Sequence, residues 1–194
     1  HGEEFHDHGR MWHGQSVYGE MLRVPLLFWG GGIDKARVRE ETVQLIDVMP
    51  TLLELSGLEP PPGLQGQSLA SLVSDGRHAA WQPRPVIAEK HPLGGTNHPE
   101  ASESYAIVDG DWKLIHNLQR PPERAEIELF RFHEDALDQK NVAEANPDVV
   151  DRLRKALEGW KRGAAEAKLK PDSEATKGMS AEQLERLRSL GYVQ

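Results

Sequence analysis

The first thirteen residues carry four of the chain's nine histidines, His1, His6, His8 and His13, with the carboxylates Glu3, Glu4 and Asp7 among them. Imidazole and carboxylate are the usual ligands of borderline and hard divalent metals, so this crowding is a metal-site signal. The chain opens within the motif and without a Met, which predicts that partner ligands lie ahead of residue 1. His1-Gly2 reads as the second half of an Asp-His-Gly metal pair, or as a terminal histidine with no ligand role. His6-Asp7-His8 lacks the spacing of the His-Glu-x-x-His helical zinc motif. His6 and Asp7 read as a solvated loop.

His13 lies between Trp12 and Gly14-Gln15-Ser16, where an imidazole can contact an anionic substrate oxygen or protonate a leaving group. Ser16 has no Gly-x-Ser-x-Gly elbow around it and is expected to cap a helix rather than to act as a nucleophile. Glu3 and Glu4 are expected as surface residues of a turn, with carboxylate donation to a metal as the alternative. Arg23 either binds an anion or pairs with a carboxylate at a sheet end. His91 and His98 fall in a polar loop, 91–104, that can line a cleft. Trp112, Trp160 and the leucine stripes are expected in the core.

A length of 194 residues suits one domain, or one large domain fragment with a small appendage. Lys and Arg total 23 against 31 Asp and Glu, a net charge of −8. That balance disfavours nucleic acid as the main partner, although a local cationic pocket can still take one sulfate or phosphate. Zero cysteines exclude disulfides, thiolate metal sites and a Cys nucleophile within these residues. No apolar run approaches the roughly 18 residues needed to span a bilayer. A mean hydropathy of −0.61 predicts some polar extension.

The elements that must position these residues follow from pattern. A helical turn is expected near 15–21. Residues 23–30 are continuously apolar and closed by glycines, which predicts a strand buried on both faces. Residues 43–58 predict a helix with Asp47 as its cap, Pro50 in the first turn, Gly57 as its stop and a broad apolar face including Met49 and Leu52. A short helix is expected over 68–73, then a loop over 74–84. Short runs at 85–89, 105–108, 112–116 and 127–132 predict four strands of a small antiparallel sheet, with Asp109-Gly110 as a hairpin turn. Asn146-Pro147 starts a helix whose Leu153, Leu157 and Trp160 stripe packs on that sheet. Residues 163–178 read as linker, and Ser180 with Gln183 as the capping box of a last helix. The expected division is 1–84, the end of a catalytic α/β domain; 85–162, a sheet-plus-helix subdomain; and 163–194, linker and terminal helix.

Taken in order, His1-Gly2-Glu3-Glu4-Phe5, His8-Gly9-Arg10-Met11-Trp12-His13-Gly14-Gln15-Ser16-Val17-Tyr18 and Arg23-Val24-Pro25-Leu26-Leu27 resemble the sulfatases of the alkaline phosphatase superfamily. Asp47-Val48-Met49-Pro50-Thr51-Leu52-Leu53, Gly63-Leu64-Gln65-Gly66-Gln67-Ser68-Leu69 and Trp112-Lys113-Leu114-Ile115 are similar to later parts of that family. So are Glu128-Leu129-Phe130 and Leu187-Arg188-Ser189-Leu190-Gly191-Tyr192. The resemblance implies an α/β fold: the C-terminal part of an alkaline-phosphatase-like mixed-sheet sandwich, then a small antiparallel sheet packed by a C-terminal helix. It implies sulfate-ester hydrolysis by a formylglycine and one divalent cation, commonly calcium, with manganese or zinc as alternatives. His1 matches a ligand of that cation. His13 matches the position that contacts the sulfate near its leaving oxygen.

The family's Cys/Ser-x-Pro-x-Arg nucleophile motif and its early Asp-Asp metal pair are not found in these residues, so the chain is expected to be a fragment, inactive alone and a weak calcium binder. The expected substrate is a small-molecule or glycan sulfate ester, and a separate N-terminal half is a possible partner. A periplasmic or extracellular location accompanies the resemblance. Two other readings remain: a phosphodiesterase or phosphonate hydrolase on the same fold, since sulfate and phosphate esters are near-isosteric, and a non-catalytic structural or complementing module.

Overall fold

Four antiparallel strands in the order β3-β4-β5-β6 form the central sheet, where β3 is Val86–Lys90, β4 Glu103–Asp109, β5 Trp112–Gln119 and β6 Ile127–Arg131. They are seen in a computed structural model, which describes all residues except 1, 10, 15, 32, 34, 92–102, 121, 167–177 and 190–194. Before the sheet come β1 (Glu4–Phe5), β2 (Met11–Trp12), α1 (Gly19–Leu22), a 3-10 turn (Leu45–Asp47), α2 (Val48–Leu55) and α3 (Ala70–Val73). After it come α4 (Pro147–Glu166) and α5 (Ala181–Ser189). The chain divides into two compact units, His1–Arg154 and Lys155–Gln194.

The sheet matches its sequence pattern closely. Gly110 has φ +60 and Asp109 pairs with Trp112 across it, which is the two-residue hairpin expected at Asp109-Gly110. The register sets Ala88 beside Ala106, Ala106 beside Ile115 and Ile115 beside Glu128. Side chains alternate along each strand, so Lys113, Asn117 and Phe130 share that face, while Ile107, Leu114 and Leu129 take the other. Both faces are covered, which is why the runs read as continuous apolar stretches rather than alternating ones.

On the first face Val17 and Tyr18, just beyond the His13 loop, close a buried cluster with Ala106, Ile115 and Phe130. On the second, Asp109 pairs with Arg152 of α4, and Ile107, Leu114, Leu129 and Leu153 are buried. Burial of each such side chain contributes about 1.5–3 kcal/mol.

Helix α4 begins as expected, with Pro147 at its first position and the Asn146 carbonyl accepting the Val150 N–H at 3.1 Å. It runs on to Glu166, past the residue 162 where the subdomain was expected to end. Trp160 is exposed rather than core. Trp112 is half-buried beneath the Arg131 guanidinium, 4.3 Å from its ring centre, a cation–π contact between register partners. In the second unit α5 opens on the expected capping box: Ser180 N–H donates to Gln183 Oε1 at 2.8 Å and Gln183 N–H to Ser180 Oγ at 3.2 Å.

The main departure is the stretch expected as a buried strand, 23–30. Among the described residues it has no partner strand, only an isolated Gly30–Ile33 bridge, and Leu27 and Trp29 are 84% and 92% exposed. A strand is held by the hydrogen bonds and side-chain pairs of a neighbour, which apolar content alone does not provide. This arm, residues up to Ile46, and the outer part of the first sheet face enclose an open groove of about 1650 Å³.

The helix expected over 43–58 forms only in part, as the 3-10 turn and α2, and it stops before Gly57 at φ +71. Its apolar face is not covered: Met49 and Leu52 are exposed, and Pro50 and Thr51 are the buried pair. Asp47 does not cap α2 through its side chain. Its buried carboxylate instead accepts Gln44 N–H at 3.0 Å, Gln67 N–H at 2.7 Å and the Arg84 guanidinium.

Candidate functional site

Strands β1 and β2 pair antiparallel, Glu4 with Trp12 and Phe5 with Met11, so residues 3 to 13 form a hairpin. The turn uses His6 at φ +70 and Gly9 at φ +77, with Gly9 N–H donating to the His6 carbonyl at 3.1 Å. His6 and Asp7 are exposed there, as the solvated-loop reading expects. Because Glu3 precedes β1 and His13 follows β2, the hairpin brings the two together, with His13 Nδ1 2.7 Å from Glu3 Oε1. The carboxylate orients the imidazole. The His13 side chain is 57% exposed.

His1, the expected metal ligand, lies outside the described residues, as does His98. Among the described residues no three His, Cys, Asp or Glu side chains gather as a metal centre. Glu4 is not the surface residue expected. Strand alternation turns it inward and Phe5 outward, so Glu4 is fully buried, and neither carboxylate oxygen has a hydrogen-bond partner among the described residues. Burying a carboxylate without a partner is costly. Glu4 is therefore the described donor best suited to meet a cation, but one carboxylate does not make a metal site.

Other expected roles shift. Ser16 is buried and accepts the Tyr18 N–H at 3.3 Å; the residue that precedes α1 is Tyr18, so Ser16 shapes a turn and does not cap the helix. Arg23 pairs with no carboxylate among the described residues; it donates to the Phe132 carbonyl at 3.2 Å and lies over the Phe132 ring. His91 is exposed beside Glu89 at 3.3 Å and edge-on to Tyr105.

The structure also assembles a cluster that sequence reasoning missed. His8 sits with Nδ1 2.6 Å from Glu20 Oε1 and Nε2 3.0 Å from the Asp138 carbonyl oxygen, its ring stacked on Tyr18 at 3.6 Å. Asp138, at φ +53, pairs through its carboxylate with Lys113, and both are buried. Burial pushes Lys113 down and Asp138 up from their ordinary pKa values, and their mutual attraction opposes both shifts. A Cβ on Gly19 would meet the Ala136 carbonyl oxygen at 2.0 Å, so only glycine lets α1 approach this turn.

Tyr18 Oη donates to Glu128 at 3.0 Å, and Asn117 Nδ2 donates to the same carboxylate at 2.8 Å. Burial first, then Glu128, pushes the Tyr18 hydroxyl up. A sequence signal existed: Lys113 stands inside the apolar run 112–115, and a lysine buried in a sheet demands a carboxylate.

Residues 7–162 match the family described as N-sulphoglucosamine sulphohydrolase, C-terminal. The chain belongs to this sulfatase family. Arylsulfatase K of Gallus gallus is 32% identical over 165 residues, which are 81% of this chain and 29% of that protein. Arylsulfatase K of Danio rerio is 30% identical over 160 residues, again 81% of this chain and 29% of that protein. An arylsulfatase of Clostridium perfringens is 29% identical over 164 residues, with 31% of its length covered. The chain thus spans under a third of the sulfatases it matches. A crystal structure assigned as a sulfatase from Bacteroides thetaiotaomicron superposes with a TM-score of 0.66 at 24% identity, over 82% of this chain and 33% of that one. That likeness shows a shared fold, the C-terminal part of a sulfatase, of α/β class.

Proposed function

We propose that this chain serves as the C-terminal part of a sulfatase that hydrolyses a small-molecule or glycan sulfate ester, and that His13 is its catalytic residue. The carrying observation is the Glu3–His13 pair, 2.7 Å apart and open to solvent at the end of a hairpin, within a chain of the sulfatase family. His13 would contact the sulfate near its leaving oxygen and pass a proton to that oxygen, while Glu3 holds the ring in place. Because the hairpin carries both residues, their geometry survives movement of the hairpin as a body.

A divalent cation, calcium before manganese or zinc, is part of the proposal, with His1 as one ligand; when bound it supplies positive charge to the sulfate oxygens. The formylglycine nucleophile would come from outside these 194 residues, which hold no Cys. The exposed apolar arm supports such a division, because Leu27 and Trp29 offer a surface that a further part of the protein, in the same or a separate chain, can cover.

In the full sulfatase carrying this chain, His13→Ala should lower kcat for a chromogenic sulfate ester by about a hundredfold or more. His6→Asn, which tolerates the left-handed backbone at residue 6, should leave kcat within about twofold of wild type. Equal effects would remove His13 from the catalytic role.

A further inference from the structure

We propose that His8 is a positioning residue: its imidazolium fastens the β1–β2 hairpin, and with it the Glu3–His13 pair, to the sheet unit, and the fastening weakens as the ring gives up its proton. The consequence for turnover rests on His13 being the sulfate-facing residue. The fastening itself stands on geometry alone.

Both ring nitrogens of His8 face acceptors. A carbonyl only accepts, so Nε2, 3.0 Å from the Asp138 oxygen, carries a hydrogen. An ionised carboxylate only accepts too, so Nδ1, 2.6 Å from Glu20, carries the second. Two donors on one ring make an imidazolium. A neutral ring gives up one of these bonds, and in a site where the His8 side chain is 15% exposed and stacked on Tyr18, water replaces it poorly.

The two acceptors belong to different parts of the unit. Glu20 is on α1, whereas Asp138 follows β6 and is tied by Lys113 to β5. The Gly19 N–H also donates to the Asp138 carboxylate, and Gln139 Nε2 donates to the Asp7 carbonyl at 3.3 Å. One ring therefore joins the hairpin tip, α1 and the turn beside the sheet. Among the described residues the hairpin has two residue pairs of its own, too few to hold a fixed orientation without an anchor.

The charged groups around the ring are the Glu20 and Asp138 carboxylates, the Lys113 ammonium and Arg23 on the sheet side, and Glu128 with Arg124 behind Tyr18. Burial alone would lower the His8 pKa. The Glu20 hydrogen bond, the Asp138 carbonyl and the two carboxylates outweigh it and raise the ring above its ordinary 6.5. A raised histidine contributes its stabilisation fully below the ordinary value and loses it as pH climbs through the raised one.

The test uses the 194-residue chain and needs no turnover. Proton NMR of the histidines should show His8 titrating above its ordinary value, and Glu20→Gln should bring it down. Amide exchange near about pH 6 should speed up at least about tenfold in β1 and β2 of His8→Gln and stay unchanged in β4 and β5. A His8 that titrates at or below its ordinary value, or hairpin amides indifferent to His8→Gln, overturns the proposal. Should His8→Gln fail to fold, the titration of the unsubstituted chain and of Glu20→Gln decides alone. In the full sulfatase, His8→Gln should lower kcat more than it raises KM and move the alkaline limb of the pH profile. If the exchange and titration results hold while His13→Ala leaves turnover intact, the fastening stands and the sulfate-facing reading of His13 is what fails.

Discussion

Residues 24–29 and residues 105–108 are both short apolar runs, and the first is the more hydrophobic to the eye. Yet Trp29 is 92% exposed while Ile107 is 1% exposed. The second run has neighbours on both edges, β3 and β5, and cover on both faces; the first has none of these among the described residues. Apolar composition states that a segment is to be covered, and only the rest of the fold states by what. One run is finished within this chain. The other is a surface prepared for something else.

That contrast can be broken or sharpened by substitution. Asp138→Asn keeps a residue that tolerates positive φ but leaves the buried Lys113 without its counter-charge, so chemical denaturation should show a loss of about 3–5 kcal/mol. In the sheet, Leu114→Ala should cost about 2–5 kcal/mol in the same assay. On the arm, Leu27→Ser and Trp29→Ser should change the stability of the 194-residue chain by no more than about 0.5 kcal/mol. Those arm variants should instead reduce self-association in sedimentation velocity, as expected when an exposed apolar patch is removed. A large stability loss from the arm would mean that it is already packed and would erase the contrast. Arg152→Ala, at the partly exposed pair with Asp109, should cost only about 0.2–1 kcal/mol.

The smallest effect concerns pH. The Glu54 carboxyl is held below its ordinary value chiefly by Ser68; burial opposes the shift, and His78 adds to the lowering. A depressed carboxylate adds stability above its ordinary pKa and loses it as pH falls through the lowered one. Ser68→Ala should therefore lower the denaturation midpoint slightly near neutrality, and the difference from the unsubstituted chain should shrink as pH falls below about 4.5.

The sheet was legible because its information is local: strand length, a Asp109-Gly110 turn, and runs bounded by polar residues. The helix start at Asn146-Pro147 and the capping box at Ser180 were legible for the same reason. The arm at 23–30 was misread because its pattern describes a burial that needs a partner strand. Asp47 was assigned to a cap by its position before Pro50, whereas the fold uses it to bind the loop near Gln67 and the distant Arg84. At the candidate site, pairing of Glu3 with His13 follows from a ten-residue hairpin return that no turn dipeptide announced. The His8 cluster depends on a contact across more than a hundred residues, from the hairpin tip to Asp138. A lysine at 113 was the available clue, and its apolar neighbours hid it.

Gly19 has a consequence for how this chain tolerates change. It has no side chain, no charge and no part in any proposed step, and yet a single added carbon would strike the Ala136 carbonyl oxygen at 2.0 Å. In a saturation scan scored by growth or activity, position 19 should be depleted for every alternative, as a nucleophile would be, while exposed Leu22 nearby accepts most substitutions. Intolerance there would report clearance between two backbones, and a search for catalytic residues based on intolerance alone would be misled by it.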